Sequence, residues 1–300
     1  MNDRLNQLSL FVRTVENGSF SKTAREFGLS QPSVSRAIAS LEARLGVTLL
    51  QRTTRRVATT DVGQTLALSA REALAAIDDA ENAARGADRL SGVLRVSLPT
   101  AYGVRQIIPR LPGFLCLQPG LKIELMMSDR YDDLVAEGAD LALRLGNQPD
   151  SAFLTRKLAS AARIVVASPE YLQRRGVPML IAELADHDCL GGPADAAREL
   201  WSFRRSGKQE NVSVDVRIRT GSGAGVVACA VAGLGIAMAS TWMCGQELQD
   251  GRLVRILADY TLEPINAYVV FSSGRQPSRK ARAFSDYLSA VLTERNRSVP

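Results

Sequence analysis

Hydrophobic residues recur at helical spacing from the start of the chain. Leu5, Leu8, Phe11, Val12 and Val15 form one stripe, and Asn17-Gly18 supplies a stop, so the pattern predicts an amphipathic helix. Between Ser19 and Leu45 the pattern splits into two shorter helices joined by a tight glycine turn. Ser21 is the expected N-cap of the first, and Gly28 stands where a helix ends in a left-handed residue. Ser30 is the expected cap of the second, with Pro32 in a first turn that has no amide bonds to lose. Val34, Ile38, Leu41 and Leu45 share one face of that helix. The opposite face carries Pro32, Ser33, Arg36, Ala39, Ser40 and Ala43, small or polar apart from one long cation. Two helices across a short turn form the helix-turn-helix layout, whose second helix enters a major groove. Small outward side chains let the backbone approach base edges, and Gln31 and Ser35 flank that face at its leading end.

Residues 47–60 turn β-rich around a basic centre at Arg52, Arg55 and Arg56. Two short strands there would form a wing, whose arginines enter a minor groove or neutralise phosphates. Asp61 to Arg89 reads as one long helix. Leu66, Ala70, Ala73, Ile77, Ala80 and Ala84 alternate steps of four and three, the period of about 3.5 residues that marks two helices lying together. A mostly alanine seam implies close approach and at least a dimer. Two-fold symmetry then predicts a pseudo-palindromic DNA site.

This stretch resembles the N-terminal part of the LysR-type transcriptional regulators. The resemblance runs over residues 4–65 and rests on Phe11-Val12, Gly18-Ser19-Phe20, Ala24, the series from Leu29 to Arg36, Ile38, Leu41-Glu42, Leu45-Gly46, Leu49-Leu50, Arg52, Thr60 and Gly63. Thr23 and Leu50 depart from it, both as packing changes. The resemblance implies that Gln31, Pro32, Ser35 and Arg36 contact DNA in the major groove and that Arg52 and Arg55 lie on the wing. The candidate DNA-facing set is therefore Ser30, Gln31, Pro32, Ser33, Ser35, Arg36, Ser40, Arg52, Arg55 and Arg56.

Beyond Ser91-Gly92, strand and helix patterns alternate, which predicts an α/β domain with a largely parallel sheet. Expected strands are Val93–Leu98, Leu121–Met127, Asp140–Leu145, Ile164–Ala167, Val212–Arg219, Ile236–Ala239, Leu253–Ile256 and Ala267–Phe271. Expected helices cover Arg105–Leu115, Asp132–Glu137, a segment opening at Pro169, one after Gly221-Ser222-Gly223, and Ser278–Thr293. This half resembles the family's effector domain, a periplasmic-binding-protein-like fold of two lobes around a cleft, with crossings near Arg163 and Ile265. The expected architecture is thus an all-α winged helix-turn-helix domain (1–60), a linker and dimerisation helix (61–90), and a two-lobed α/β effector domain (91–300). Lobe I would hold 91–163 and 266–300, and lobe II 164–265.

Open α/β sheets bind ligands at strand C-terminal ends. That rule, with helix N-termini and an arginine as anion holders, nominates Pro99, Thr100, Ser128, Arg144, Gly146 and Ser222 for an acidic or polar small metabolite. Enzyme chemistry finds little support. Gly221-Ser222-Gly223 leads to Val226 where a dinucleotide fingerprint needs glycine, and the single histidine, His187, reads as a surface-loop residue. Cys116, Cys189, Cys229 and Cys244 are widely spaced, so no metal site or disulfide framework is signalled, and buried thiols in a reducing cytoplasm are expected. The uncharged run Thr220–Gln246 is too rich in Gly, Ala and Ser for a membrane span. No apolar leader opens the chain. The net charge of +6 is concentrated early: residues 1–60 carry nine Lys/Arg against four Asp/Glu. The sequence therefore predicts a cytoplasmic, ligand-responsive DNA-binding regulator that is not an enzyme and needs no cofactor. Its expected partners are double-stranded DNA, a small effector and itself, as dimer and tetramer, with RNA polymerase as a candidate. Two other readings are a solute-binding protein or enzyme with an accessory DNA-binding domain, and a nonspecific architectural DNA binder.

Overall fold

At the N-terminus α1 (Asp3–Asn17), α2 (Phe20–Glu26) and α3 (Gln31–Leu45) pack around Leu10, Phe11, Ala24, Val34, Ile38 and Leu41, all buried. The computed structural model describes residues 3–52, 57–84, 90–129, 138–146, 154–192, 198–272 and 277–295. Ser30 caps α3, its Oγ accepting the Ser33 amide at 3.2 Å. The cap of α2 is Ser19 rather than Ser21. Gly18 turns the chain at φ +59°, so Ser19 is the one extended residue before the helix restarts, and its Oγ accepts from Lys22. Leu45 also departs from expectation: it is 41% exposed, because the last turn of α3 runs past the core before Gly46 ends it.

The wing is β1 (Leu50–Arg52) paired antiparallel with β2 (Val57–Thr59). Glu42 fastens it to α3, its Oε1 accepting the amides of Leu49 at 2.8 Å and Leu50 at 3.1 Å. The tip, with Arg55 and Arg56, lies outside the described residues.

Next, α4 (Asp61–Ala84) begins hard against the wing. A Cβ on Gly63 would stand 2.1 Å from the Leu49 carbonyl oxygen, so only glycine fits. Ala67 and Ala70 are buried in the N-terminal core, with Leu66 and Leu74 packed on it. The first part of the expected seam, Leu66 and Ala70, is therefore used within the chain. Further along, Ala73 and Ala80 are exposed and Ile77 is half-buried.

The remainder builds two sheets. The first, in order β4-β3-β5-β14-β6, comprises β3 (Gly92–Leu98), β4 (Leu121–Met127), β5 (Leu141–Leu145), β6 (Thr155–Ala161) and β14 (Ile265–Phe271). The second, in order β12-β7-β11-β8-β10-β9-β13, comprises β7 (Arg163–Ala167), β8 (Cys189–Gly191), β9 (Arg198–Arg205), β10 (Lys208–Arg219), β11 (Ile236–Ser240), β12 (Val254–Ile256) and β13 (Thr261–Leu262). These are lobes I and II. The chain crosses between them after β6, at Ala162, and between β13 and β14.

Both sheets are mixed, correcting the largely parallel expectation. Only β4-β3-β5 and β11-β8-β10 run parallel. The crossings bring β6, β7 and β14 back antiparallel, and β9 folds onto β10 as a hairpin. The expected helix over Arg105–Leu115 is also corrected. It is broken into α5 (Thr100–Tyr102), a π turn (Gly103–Ile107), a 3-10 turn (Ile108–Arg110) and α6 (Leu111–Leu117). Pro109 and Pro112 remove the amides a continuous helix needs. The helix expected over Asp132–Glu137 lies outside the described residues.

Of the remaining helices, α7 (Pro169–Arg175) and α8 (Gly223–Val231) cover lobe II, and α10 (Arg279–Arg295) packs on lobe I. α9 (Thr241–Gln249) follows β11 but sends Trp242 into the core of lobe I, edge-on to Tyr102 at 5.2 Å. Among the described residues, no helix is long and apolar enough to cross a membrane.

Candidate DNA-facing helix and interlobe cleft

The outer face of α3 is built as a smooth, mildly cationic ridge. Gln31, Pro32, Ser40 and Arg36 are exposed, and Ser33 and Ser35 are half-buried. Ser30 and Ser33 join through their hydroxyls at 2.8 Å, and Gln31 Oε1 accepts from Ser21 at 3.3 Å, so the leading end is pre-ordered. Ser40 Oγ accepts from Gln7 at 3.3 Å. Among the described residues Arg36 makes no ion pair or hydrogen bond, so its guanidinium is free for an outside partner. Arg52 ends β1, opposite Val57. Behind the ridge, Arg13 bridges Glu16 and Glu26, and Arg71 of α4 pairs with Glu16 at 3.1 Å, locking α1, α2 and α4 together.

A cavity of about 340 Å³ opens between the lobes. Lobe I contributes Pro99, Ala101, Tyr102, Ser128, Asp129, Arg144, Leu145 and Ile265. Lobe II contributes the start of α8 (Ser222, Gly223 and Val226), Met238 and Met243, together with Arg163, Glu199 and Trp201. Arg144 is buried and donates to Ser97 Oγ at 3.2 Å and to the Leu143 carbonyl at 3.3 Å. Ser222 caps α8, its Oγ accepting the Gly225 amide at 3.2 Å. Glu199 accepts from Arg219 at 2.5 Å and from Trp201 Nε1 at 3.2 Å. Arg163 makes no hydrogen bond or ion pair among the described residues. Burial pushes its guanidinium pKa down, against the opposing pull of Glu199. The cavity is thus a largely apolar chamber with an unpaired cation on one wall.

Residues 5–64 match the family described as bacterial regulatory helix-turn-helix protein, lysR family, and residues 87–293 match the LysR substrate binding domain. The chain belongs to the LysR family of transcriptional regulators. It is 31% identical to the uncharacterized HTH-type transcriptional regulator YhjC of Escherichia coli, over 97% of this chain and 99% of the relative. Among solved structures it resembles CrgA, a LysR-type regulator of Neisseria meningitidis, at 29% identity and TM-score 0.62, covering 96% of this chain and 98% of that one. It resembles equally the full-length virulence activator AphB of Vibrio cholerae, at 29% identity and TM-score 0.60, covering 96% and 99%. LysR regulators bind DNA and small-molecule effectors and oligomerise, so the family is one of transcriptional regulators and not of enzymes.

In this LysR-type chain Pro99, Ser128, Arg144 and Ser222 come together on the cavity wall. Thr100 and Gly146 do not. Thr100 is exposed at the start of α5, its amide donated to Asp129 at 3.0 Å, and Gly146 turns the chain after β5 at φ +87°. Sequence reasoning missed Arg163, Glu199 and Trp201 as cavity residues. Trp201 and Phe203 alternate with exposed Leu200 and Arg204, a strand signal that could have placed Glu199 on the same face as Trp201. Arg163 carries no such local signal; it is set there by the lobe crossing.

The thiols divide. Burial pushes Cys189 up to about 12 and Cys244 up to about 11, whereas Cys116 is exposed on α6, against the buried expectation. His187 lies in the loop between the 3-10 turn Ile181–Asp186 and β8 and is half-buried there. The Tyr171 hydroxyl accepts the Asp188 amide at 2.9 Å and shares a hydrogen bond with His187 Nδ1 at 3.1 Å.

Proposed function

We propose that this LysR-type regulator reads a pseudo-palindromic promoter site through paired copies of α3 and answers to a small acidic or polar metabolite held between its lobes. The observation that carries the reading is the free Arg36 guanidinium on an otherwise small-residue face, beside an end ordered by Ser30, Gln31 and Ser33. In this reading Gln31, Pro32, Ser33, Ser35 and Arg36 face base edges and nearby phosphates, and Ser30 and Ser40 border the contact. The wing arginines Arg52, Arg55 and Arg56 reach the flanking backbone or minor groove. The run of exposed Ala73, half-buried Ile77 and exposed Ala80 on α4 meets its twin in a dimer, and two dimers form a tetramer. Pro99, Ser128, Arg144 and Ser222 belong to the effector site, which also includes Arg163. The protein acts in the cytoplasm, with RNA polymerase as a further partner at the promoter.

The test is genome-wide occupancy in the source cell followed by DNase I footprinting of the bound promoters with purified full-length protein. A protected site with two related half-sites supports the reading. Uniform protection of unrelated sequence, or a monomer in sedimentation, overturns it.

A further inference from the structure

We infer that the cleft is built for a monocarboxylate with an apolar body, and discriminates against dianions and polyols. This deepens the effector reading above and rests on it. Among the described residues the charges around the chamber count out to a single surplus. Arg144, Arg163 and Arg219 stand against Glu199 and Asp129. Arg219 is spent on Glu199, and Arg144 is engaged with Ser97 and its neighbouring carbonyl. Asp129 holds the Thr100 amide at the rim. Among the described residues Arg163 is the cation left with no hydrogen bond or ion pair, feeling Glu199 only through space, and it shares the wall with the start of α8. One carboxylate neutralises it. A second would face Glu199, whose charge already takes up Arg219, and would find no further free cation among the described residues.

The apolar part of the wall, away from Ser128, Ser222 and Ser240, sets the body of the ligand. Ala101, Leu145, Leu190, Val226, Met238 and Met243 offer no hydrogen bonds, and Trp201 spends its indole N–H on Glu199. A polyol there would lose water without replacement. Thioethers adapt to irregular or aromatic bodies.

The test uses full-length protein and four probes of known chemistry in titration calorimetry: 3-phenylpropanoate, its neutral amide, the dianion adipate, and glucose 6-phosphate. 3-Phenylpropanoate should bind at least tenfold more tightly than the other three. Arg163→Met should weaken it tenfold or more, and Arg163→Lys, which keeps the charge, should recover part of the loss in a protein of the same fold by circular dichroism. Glu199→Gln releases Arg219 and should raise adipate affinity severalfold, a change that a misfolded variant would not produce. Tighter binding of adipate or glucose 6-phosphate, unchanged affinity in Arg163→Met, or no binding by any probe overturns the assignment. Footprinting on the same preparations separates the two failures: if the promoter site is protected, the ligand class alone was wrong.

Discussion

Replacing Arg105 by methionine should loosen the joint between the lobes. The guanidinium of Arg105, in the π turn of lobe I, grips Glu247 of α9 with two hydrogen bonds of 2.7 and 2.9 Å. The Glu247 side chain is 6% exposed and that of Arg105 30%. Removing one member of a fully buried pair costs about 3–5 kcal/mol, because the survivor is left charged and desolvated. Here solvent reaches Arg105, and Arg252 stays 3.6 Å from Glu247, so the cost falls to about 2 kcal/mol. In an α/β domain of this size that lowers Tm by roughly 4–8 °C. A double change, Arg105→Met with Glu247→Leu, removes both charges and should return most of the loss, giving a coupling energy of about 1–2 kcal/mol. Trp242 lies on α9 and serves as the probe once Trp201 is replaced by phenylalanine, since the chain has two tryptophans. The pH dependence supplies a second readout. Hydrogen bonds from Arg105 hold the Glu247 carboxyl below its ordinary value, against burial, so this stabilisation is present above pH 4.5 and lost as pH falls through the folded-state pKa. Urea unfolding of Arg105→Met within about 0.5 kcal/mol of the parent would refute the argument, since ordinary surface changes lie in that range.

Arg36→Ala should weaken binding to the specific site by about 1–3 kcal/mol while leaving random DNA less affected; equal loss on both in gel-shift competition would make Arg36 a phosphate contact. Gly63→Ala should destabilise the N-terminal domain by about 1–3 kcal/mol through the clash with Leu49, despite alanine's better helix propensity, and a higher urea midpoint would contradict the close approach. Burial, then Arg175, holds His187 below its ordinary 6.5, so the unfolded chain takes up a proton first and stability should fall as pH drops below 6.5. His187→Gln should flatten that slope between pH 7.5 and 5.5, and a slope unchanged by the substitution would count against it.

The N-terminal domain was legible because its signals are local. Helical spacing, the Ser30 cap and the left-handed glycines at 28 and 46 each depend on a few neighbouring residues. The hairpin of β9 and β10 was equally local and was still missed. Ser206 and Gly207 both take positive φ, at 49° and 80°, as a two-residue turn between strands requires. The α4 stripe was ambiguous for a physical reason: alanine at a helix interface suits a core neighbour or a twin helix equally, and the N-terminal core takes Ala70. In the cleft, the strand-end rule found Pro99, Ser128, Arg144 and Ser222 because sheet topology puts them there. It could not find Arg163 and Glu199. Their meeting depends on the crossing at Ala162 and on a hairpin that returns far along the chain, a tertiary fact with no periodicity to announce it.

The same geometry constrains how a cleft ligand can reach the DNA-facing domain. Strand β5 has one end in each place. Arg144 and Leu145 line the cleft. At the other end Asp140 accepts the Arg95 amide at 2.8 Å and pairs with Lys280 at 3.3 Å. Just before it, Gly138 lies against Glu16 of α1, where a Cβ would come within 2.7 Å of the glutamate Cγ. Glu16 is the residue that Arg13 and Arg71 share. Contact is therefore continuous from the cleft to the helices that carry α3, but continuity alone moves nothing: a ligand shifts an equilibrium only by its differential affinity for two arrangements. Wide clam-shell closure is opposed by α9, which buries Trp242 in lobe I and ties Glu247 to Arg105. What remains is small displacement about the crossings. Arg163 stands at one of these, as the first residue of β7, so a carboxylate that draws it toward lobe I acts directly on a crossing.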